Sequence, residues 1–153
     1  MPRPRFSDAL LAFNTIRGDG SLDHVARTLG GKVQYNIEHK FFENACAIRM
    51  SYVLNKTGTP IGTFAGNTVS GADGARYIFR VSELQTFLEQ KLGPPDMEMS
   101  PPDLASFAGK QGILVFKVDW ANASGHATLW NGADCSDHCY FQEAGKARLW
   151  SLP

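Results

Sequence analysis

Three residues whose types can together carry out acyl transfer lie far apart in this sequence: Cys46, His126 and Asp137. A nucleophilic thiol needs a base within hydrogen-bond reach, and the base needs an acceptor that orients it. Cys46 is the candidate nucleophile because it stands alone, whereas Cys135 and Cys139 form a close pair. A free cysteine is also among the most buried residue types, so packing alone could account for it. The elements that carry these residues therefore decide whether they can meet.

The stretch from Cys46 to Leu54 predicts a buried helix with the thiol at its start. Arg49 is the one charged residue in this stretch, and apolar groups occur nearly all round the helix axis. A surface helix would instead keep a polar face. Asn44 is a favourable N-cap, since its side chain can accept a free backbone N–H of the first turn. Cys46 then lies in that turn, where free N–H groups and the positive end of the helix dipole favour a thiolate.

His126 and Asp137 are predicted to meet across a hairpin. His126 opens a predicted strand, and a favoured two-residue turn, Asn131-Gly132, follows that strand. Continued pairing from this turn sets His126 opposite Asp137, and directly opposed side chains are about 5 Å apart at Cβ. A carboxylate at that position would fix the imidazole tautomer and stabilise the protonated ring. Asp134 is the alternative orienting residue.

Cys135 and Cys139 are four residues apart, a spacing that suits either a disulfide or part of a metal site. A disulfide is possible in a helical turn or tight loop, but not in a strand, where four residues span about 13 Å. A metal site would need both sulfurs, His138 and a fourth donor. We predict the disulfide and no metal, which indicates an oxidising compartment. A tight loop of this kind would still present Asp137 to His126.

The remaining sequence patterns predict helices first and an antiparallel sheet afterwards, which is the α+β class of domain. The other predicted helices are Asp8–Ile16 with Ser7 as N-cap, a helix capped by Ser21 that runs to Leu29, a helix opened by the capping box Ser82–Gln85 and closed by Gly93, and one or two turns within Asp103–Ala108. The predicted strands are Val33–Ile37, Tyr77–Val81, Gly112–Val118, His126–Trp130 and Ala147–Trp150. Two stretches without periodicity predict a long surface loop, Asn55–Gly74, and an exposed connector, Gly93–Pro102.

Length and composition predict a single domain over residues 1–153, with 43% hydrophobic and 20% charged residues. Fifteen basic and fifteen acidic residues cancel, so net charge gives no reason to expect nucleic acid or an anionic membrane as the main partner. Every apolar run is shorter than the roughly 18 residues that a membrane span requires. The apolar stretch near the N-terminus is also too short for a secretory signal, so we expect no standard export signal.

Four segments of the sequence resemble the type VI secretion amidase effectors of the fourth family. The segments cover most of the chain and read FENACAIRMSYVLN, GILVFKVDW, SGHATLWNG and DCSDHCYF. The order of cysteine, histidine and a polar residue is also that of papain-like thiol hydrolases. The resemblance implies a papain-like, NlpC-type cysteine peptidase fold with helices packed on an antiparallel sheet. It also implies that Cys46, His126 and Asp137 are the catalytic residues and that no cofactor is needed.

The same resemblance implies a toxin that one bacterium injects into the periplasm of a rival by a type VI secretion system. There it is expected to hydrolyse the γ-D-glutamyl–meso-diaminopimelate bond of peptidoglycan stem peptides. Its expected partners are the secretion machinery and a cognate immunity protein that plugs the cleft. Because the machinery delivers a folded protein, no signal peptide is required and the disulfide can form on arrival.

Two other functions remain open from the sequence. A papain-like acyltransferase or transglutaminase would share the thiol and the imidazole, and a non-catalytic metal-binding module would be centred on Cys135, His138 and Cys139. One departure from papain-type enzymes concerns the oxyanion, because Lys40 stands where those enzymes place a glutamine shortly before the cysteine.

Further side chains are candidates for contacting the substrate. The expected substrate carries free carboxylates, so a cationic residue in the cleft is predicted. Arg49, Arg76 and Arg80 are the candidates, although each of them is more often a solvated surface residue. Trp120 and Trp130 are candidates for the walls of the cleft, although tryptophans near strands also pack in cores.

Overall fold

The computed structural model describes residues 3–42, 45–62, 64–119 and 125–153. Within these ranges it contains six helices and six strands, and the helices dominate the first half, as the sequence predicted. None of these helices combines the length and apolar character of a membrane span. The helices are α1 Phe6–Arg17, α2 Leu22–Leu29, α3 Gly31–Glu38, α4 Cys46–Lys56, α5 Val81–Leu92 and α6 Leu104–Phe107.

Antiparallel pairing joins the strands into a two-stranded and a four-stranded sheet. The strands are β1 Thr68–Ser70, β2 Arg76–Ile78, β3 Met97–Met99, β4 Gly112–Lys117, β5 Gly125–Trp130 and β6 Lys146–Ser151. The small sheet is β1-β2, and the larger sheet has the order β3-β6-β4-β5. In the larger sheet β5 is an edge strand, and its His126 lies directly opposite Phe116 of β4. The candidate base is therefore on a strand that a helix can approach from the side.

The main core lies between helices α1, α4 and α5 and one face of the larger sheet. Its members include Phe13, Met50, Leu88, Val115, Leu129 and Trp150. Fully burying one such side chain contributes roughly 1.5–3 kcal/mol. Helix α4 is buried on most of its surface, as predicted, and its buried residues are Cys46, Ala47, Ile48, Met50, Ser51, Val53 and Leu54. This packing holds α4 rigidly against the sheet.

A second apolar layer covers the opposite face of the larger sheet, and Trp130 belongs to it. Trp130 is fully buried, and its Nε1 donates to the backbone oxygen of Phe107 at 2.9 Å. Trp130 therefore does not wall a cleft but packs in the core, the more common role of a tryptophan near a strand, because the indole and its N–H are both used there. Trp120 lies outside the described residues.

The predicted strand Val33–Ile37 is wrong, since these residues lie within α3. Val33 and Ile37 are both buried, whereas Tyr35 is 54% exposed. Apolar residues at positions i and i+4 share one face of a helix, and the same positions also satisfy the alternation expected of a strand. Over five residues the pattern could not separate the two structures.

The predicted helix starts were correct where a side chain supplies the cap. Ser21 caps α2, and its Oγ accepts a hydrogen bond from the backbone N–H of His24 at 3.1 Å. Ser7 and Ser82 instead lie inside α1 and α5, whose N-cap residues make no side-chain cap. Each of these helices begins earlier because the residue before the serine, Phe6 or Val81, is buried. The predicted cap Asn44 lies outside the described residues.

Both predicted irregular segments contain secondary structure. Asn55–Gly74 includes the end of α4 and strand β1, and Gly93–Pro102 includes β3, which pairs with β6. The strand predicted at Tyr77–Val81 is Arg76–Ile78, because Val81 starts α5. Strands of three residues are too short to show a hydrophobic period in the sequence.

Candidate active site

Cys46 is the first residue of α4 and lies buried beside the edge strand β5. Its Sγ is 3.9 Å from the backbone oxygen of Gly125. The first N–H groups of a helix have no acceptor within the helix, so the thiol lies where backbone donors converge. The predicted position of this cysteine in the first turn is confirmed.

Gly125 allows the close approach of the strand on which the candidate base lies. A Cβ atom at this position would lie 2.3 Å from the backbone oxygen of Phe116 and 3.3 Å from Cγ1 of Val81. Any larger residue would therefore push β5 away from β4. Glycine keeps β5 in register just where α4 brings the thiol to the sheet.

His126 connects the thiol to a carboxylate. The ring is 7% exposed, and its Nε2 donates to Asp137, at 3.1 Å from Oδ1 and 3.0 Å from Oδ2. The other ring nitrogen, Nδ1, is left to meet Cys46, whose side chain is also a hydrogen-bond partner of the ring. Burial alone lowers the pKa of His126, but the hydrogen bonds and charges of Asp137 and Cys46 outweigh it and raise this pKa to about 9.

Asp137 is held as a carboxylate by several donors. Burial raises the pKa of Asp137, but the contact with His126, the Thr128 hydroxyl and the backbone N–H of His138 bring it below its usual value. The His138 N–H is 2.6 Å from Oδ1. The sequence pointed to Asp137 but not to Thr128, which lies two residues after His126 and so on the same face of β5.

A disulfide closes the segment that carries Asp137. Cys135 and Cys139 are bonded, with their Cα atoms 5.5 Å apart. The predicted two-residue turn after β5 is wrong, because Trp130 is bridged to Cys135 rather than to Ala133. Asn131 Oδ1 accepts the N–H groups of Ala133 and Asp134, which makes a longer turn. Asp137 therefore reaches His126 from a closed loop and not from a paired strand.

Asp134 does not orient the imidazole. It is exposed, and its Oδ1 accepts the backbone N–H of Cys135 at 2.9 Å. The disulfide also bears on the metal hypothesis, because both sulfurs are bonded to each other and neither can serve as a thiolate ligand. Among the residues that the structure describes, no group of three histidine, cysteine or acidic side chains is arranged to hold a metal ion.

Tyr140 covers the His126 ring and was not found from the sequence. The two rings meet edge to face, with centroids 4.9 Å apart and an interplanar angle of 68°. The ring of His138 packs on Tyr140 with centroids 4.4 Å apart. The one signal in the sequence is that Tyr140 directly follows Cys139, so the disulfide that fixes Asp137 also fixes this ring.

Of the three candidate cations, the structure brings Arg49 to the site. Arg49 lies on α4 one turn after Cys46, and its pKa is lowered by burial and raised by the charges of Asp137 and Cys46. Arg76 donates from Nε to Thr68 at 2.9 Å, and Arg80 lies over the ring of Phe79 at 4.9 Å.

The fold and this arrangement are those of the papain-like class of cysteine hydrolases, with a thiol at the start of a buried helix and an imidazole on the adjoining sheet. A model of the family described as "Type VI secretion system (T6SS), amidase effector protein 4", abbreviated Tae4, matches residues 42–150. The chain belongs to this family. Comparison with curated proteins finds no match.

Solved structures agree with the family over the whole chain. Tae4 from Salmonella typhimurium, in complex with the immunity protein Tai4 from Enterobacter cloacae, is 43% identical over 99% of this chain and 100% of that one, with a TM-score of 0.93. In the Tae4–Tai4 complex from Enterobacter cloacae, the matching chain is 44% identical over 99% of both chains, with a TM-score of 0.93. Tae4 from Enterobacter cloacae alone is 45% identical over 100% of both chains, with a TM-score of 0.91.

These matches confirm the resemblance seen in the sequence and the papain-like, NlpC-type fold that it implied. The chain is therefore an amidase effector of the type VI secretion system, an enzyme that attacks peptidoglycan. It is delivered to target bacteria and acts in their periplasm.

Proposed function

We propose that the chain hydrolyses the γ-D-glutamyl–meso-diaminopimelate bond of peptidoglycan stem peptides, with Cys46 as nucleophile, His126 as base and acid, and Asp137 as orienting residue. The observation that carries this proposal is the position of His126, whose ring meets Asp137 on one side and the Cys46 thiol on the other. Since the helices supply the thiol and the sheet supplies the imidazole, we also propose that residues 1–153 act as a single amidase domain.

The first step is transfer of the thiol proton to His126. The raised pKa of His126, about 9, supports an imidazolium at neutral pH, and the Asp137 carboxylate stabilises that charge. Because Nε2 is committed to Asp137, the proton taken from the thiol resides on Nδ1, directly beside the sulfur that lost it. The pair is then a thiolate and an imidazolium, the form in which cysteine is nucleophilic.

The thiolate attacks the δ-carbonyl carbon of the D-glutamyl residue, and the carbonyl oxygen becomes a tetrahedral oxyanion. The Cys46 backbone N–H, in the first turn of α4, is one donor for that oxygen, and such a donor is typically worth about 10²–10³ in rate. His126 then gives its proton to the departing amine of diaminopimelate, leaving a thioester on Cys46. Water, with His126 as base, hydrolyses the thioester and restores the free thiol.

The decisive experiment digests purified sacculi and identifies the products by mass. Wild-type protein should leave stems that end in D-glutamate on the glycan strands, and should produce fragments that begin with diaminopimelate and carry its newly freed amine. Cys46→Ala should release none while its circular dichroism spectrum stays unchanged, and cleavage retained by this variant would refute the nucleophile. Adding a primary amine separates the hydrolase from an acyltransferase, because only the latter would yield the corresponding amide.

We further propose that a cognate immunity protein of the Tai4 kind binds the cleft of this chain. Two of the matching structures are Tae4–Tai4 complexes, and identities of 43–44% over nearly the whole chain support a similar surface here. Purified Tai4 from Enterobacter cloacae should bind Cys46→Ala as tightly as it binds wild type, and should stop digestion of sacculi at equimolar concentration. Binding without inhibition would place the contact away from the cleft.

A further inference from the structure

Arg49 is a partly buried cation on α4, the helix that begins with Cys46. It lies on α4 three residues after Cys46, and residues at that spacing are neighbours on a helix surface, with Cβ atoms about 5–6 Å apart. Its guanidinium interacts electrostatically with both Cys46 and Asp137. Cys46 and Arg49 therefore share one side of α4, and Arg49 is half-buried, whereas its neighbours Ile48 and Met50 are fully buried in the core.

No acidic side chain in the described part of the chain forms an ion pair with Arg49. Its Nη2 donates to the backbone oxygen of Gly20 at 3.1 Å, and its buried Nε has no hydrogen-bond partner. Arg17 is also close enough for its charge to oppose that of Arg49. Arg49 therefore keeps a donor, Nε, that no carboxylate of the described residues uses, and this donor can bind an anion that arrives from outside the protein.

Three other arginines of the described chain have such partners, whereas Arg5, Arg17, Arg76 and Arg80 do not, and all of these except Arg17 are exposed. The ion pairs are Arg3 with Asp96, Arg27 with Asp23, and Arg148 with Glu89 and Glu98. Arg49 is less exposed than Arg27, and yet it forms no ion pair with a carboxylate among the described residues. The feature that distinguishes it is its place beside the nucleophile.

We propose that Arg49 binds the free α-carboxylate of the D-glutamyl residue whose δ-carbonyl carbon Cys46 attacks. This inference rests on the proposed function. In a γ-glutamyl bond the α-carboxylate is separated from the attacked carbon by four carbon–carbon bonds, a reach of about 5 Å. That reach is similar to the spacing of neighbouring side chains on a helix. The thiol and the guanidinium can therefore contact the same D-glutamyl residue of the substrate, one at each end.

The D-glutamyl carboxylate suits this place better than the anions of diaminopimelate. In a tetrapeptide stem the near carboxyl group of diaminopimelate is bonded to the next residue, and the remaining one is at the far end of its side chain. The D-glutamyl carboxylate also stays on the acyl group after the amine leaves. Arg49 can therefore orient the substrate while the thiolate attacks it, and the thioester while water hydrolyses it. A guanidinium suits this role because it forms paired hydrogen bonds with a carboxylate.

Two synthetic tetrapeptide stems that differ at one group test this inference. One carries D-glutamate, and the other carries D-isoglutamine, in which the α-carboxylate is a neutral carboxamide. Wild type should show a kcat/KM roughly 10- to 100-fold higher for the carboxylate substrate, the range expected for charged hydrogen bonds. Arg49→Gln should lower kcat/KM for the carboxylate substrate to about that for the amide, and should change the amide value little.

The ratio of the two kcat/KM values does not depend on how much of a variant is folded, so it isolates substrate recognition from stability. Arg27→Gln, which removes an exposed arginine from α2, should keep the wild-type ratio. Arg49→Lys, which keeps the charge, should retain part of the preference. If Arg49→Gln does not fold, the wild-type ratio and Arg49→Lys still decide the outcome.

The inference is overturned if wild type uses both stems within twofold, or if Arg49→Gln lowers both values equally, since Arg49 would then act on the thiol and not on the carboxylate. A third stem, amidated on the free carboxyl group of diaminopimelate, covers the other source of anion. If wild type loses activity on this third stem, and Arg49→Gln causes no further loss on it, the anion that Arg49 binds would be the carboxylate of diaminopimelate instead. Cleavage at a different bond, visible in the product masses, would overturn the proposed function as well.

Discussion

The His126 ring and the Asp137 carboxylate are joined by a contact to each oxygen, 3.1 Å from Nε2 to Oδ1 and 3.0 Å from Nε2 to Oδ2. The ring is on a strand of the main sheet, whereas the carboxylate is on a loop closed by a disulfide. The loop thus fixes the imidazole, because Asp137 holds Nε2 and leaves Nδ1 for the hydrogen bond between the ring and Cys46. Three of the predictions below follow from this relationship.

Asp137→Asn should lower kcat/KM on muropeptides by roughly 10²–10⁴-fold. The amide retains the shape of the side chain but loses the anion that fixes the imidazole tautomer and stabilises the protonated ring. Asp134→Asn is the matched control, since Asp134 is exposed and bonds only to its neighbour's N–H among the contacts of the described chain. Equal losses in the two variants would show that Asp137 has no special part in catalysis.

Removing the disulfide should lower both stability and activity. Closing a loop of this length contributes roughly 2 kcal/mol by the chain-entropy relation, which corresponds to a fall of about 4–8 °C in melting temperature. Activity should fall further than stability explains, because Asp137 and Tyr140 lose their fixed positions. Thermal melts and muropeptide assays with and without reductant check this, and the double variant Cys135→Ser/Cys139→Ser should not respond to reductant. A melting curve unchanged by reductant in wild type would remove the structural role of the bond.

The pKa of His126 should give the enzyme an alkaline limit. Because the folded pKa, about 9, lies above the ordinary 6.5, the stabilisation from the imidazolium is complete below about 6.5 and is lost as the pH rises through about 9. Stability should therefore decline between about pH 6.5 and 9 and level off above that, and activity should fall as the pH passes about 9. Histidine resonances followed by NMR should show one ring that titrates near 9 in wild type and lower in Asp137→Asn. A midpoint near 6.5 for every histidine would contradict the prediction.

Gly125→Ala should reduce activity and stability together. The new Cβ would lie 2.3 Å from the backbone oxygen of Phe116, so β5 must shift away from β4 and carry His126 with it. Such overpacking typically costs about 1–3 kcal/mol. Gly145→Ala is the matched control, because a Cβ there meets no atom within 4 Å. Denaturant melts and kcat/KM distinguish the two, and equal behaviour would mean that β5 tolerates the methyl group.

The sequence predicted the parts of the site that depend on local pattern. Arg49 is the one charge between Cys46 and Leu54, and this composition correctly predicted a buried α4 with the thiol in its first turn. The strands around Val115 and His126 were also correct in type, because long apolar runs with turn residues on both sides are strong signals. The neighbourhood of His126 and Asp137 was correct, although the predicted hairpin between them was not.

The remaining features depend on contacts between distant segments. Val33–Ile37 satisfied both helix and strand periods, and packing against α2 and β1 selects the helix. The Asn131 side chain replaces the predicted two-residue turn by accepting two backbone N–H groups, which no propensity for Asn-Gly anticipates. Thr128 and Tyr140 could be recognised as neighbours of Asp137 and His126 only once the position of the disulfide-closed loop, Cys135–Cys139, was known.

The sulfur of Cys46 lies 3.9 Å from the backbone oxygen of Gly125, 79 positions later in the sequence, so the proposed nucleophile is where α4 packs against the edge of the sheet. Hydrolysis should therefore depend on the packing of α4 against β5. A mild denaturant concentration that separates α4 from β5 should abolish activity while the circular dichroism signal of the helices and strands is unchanged.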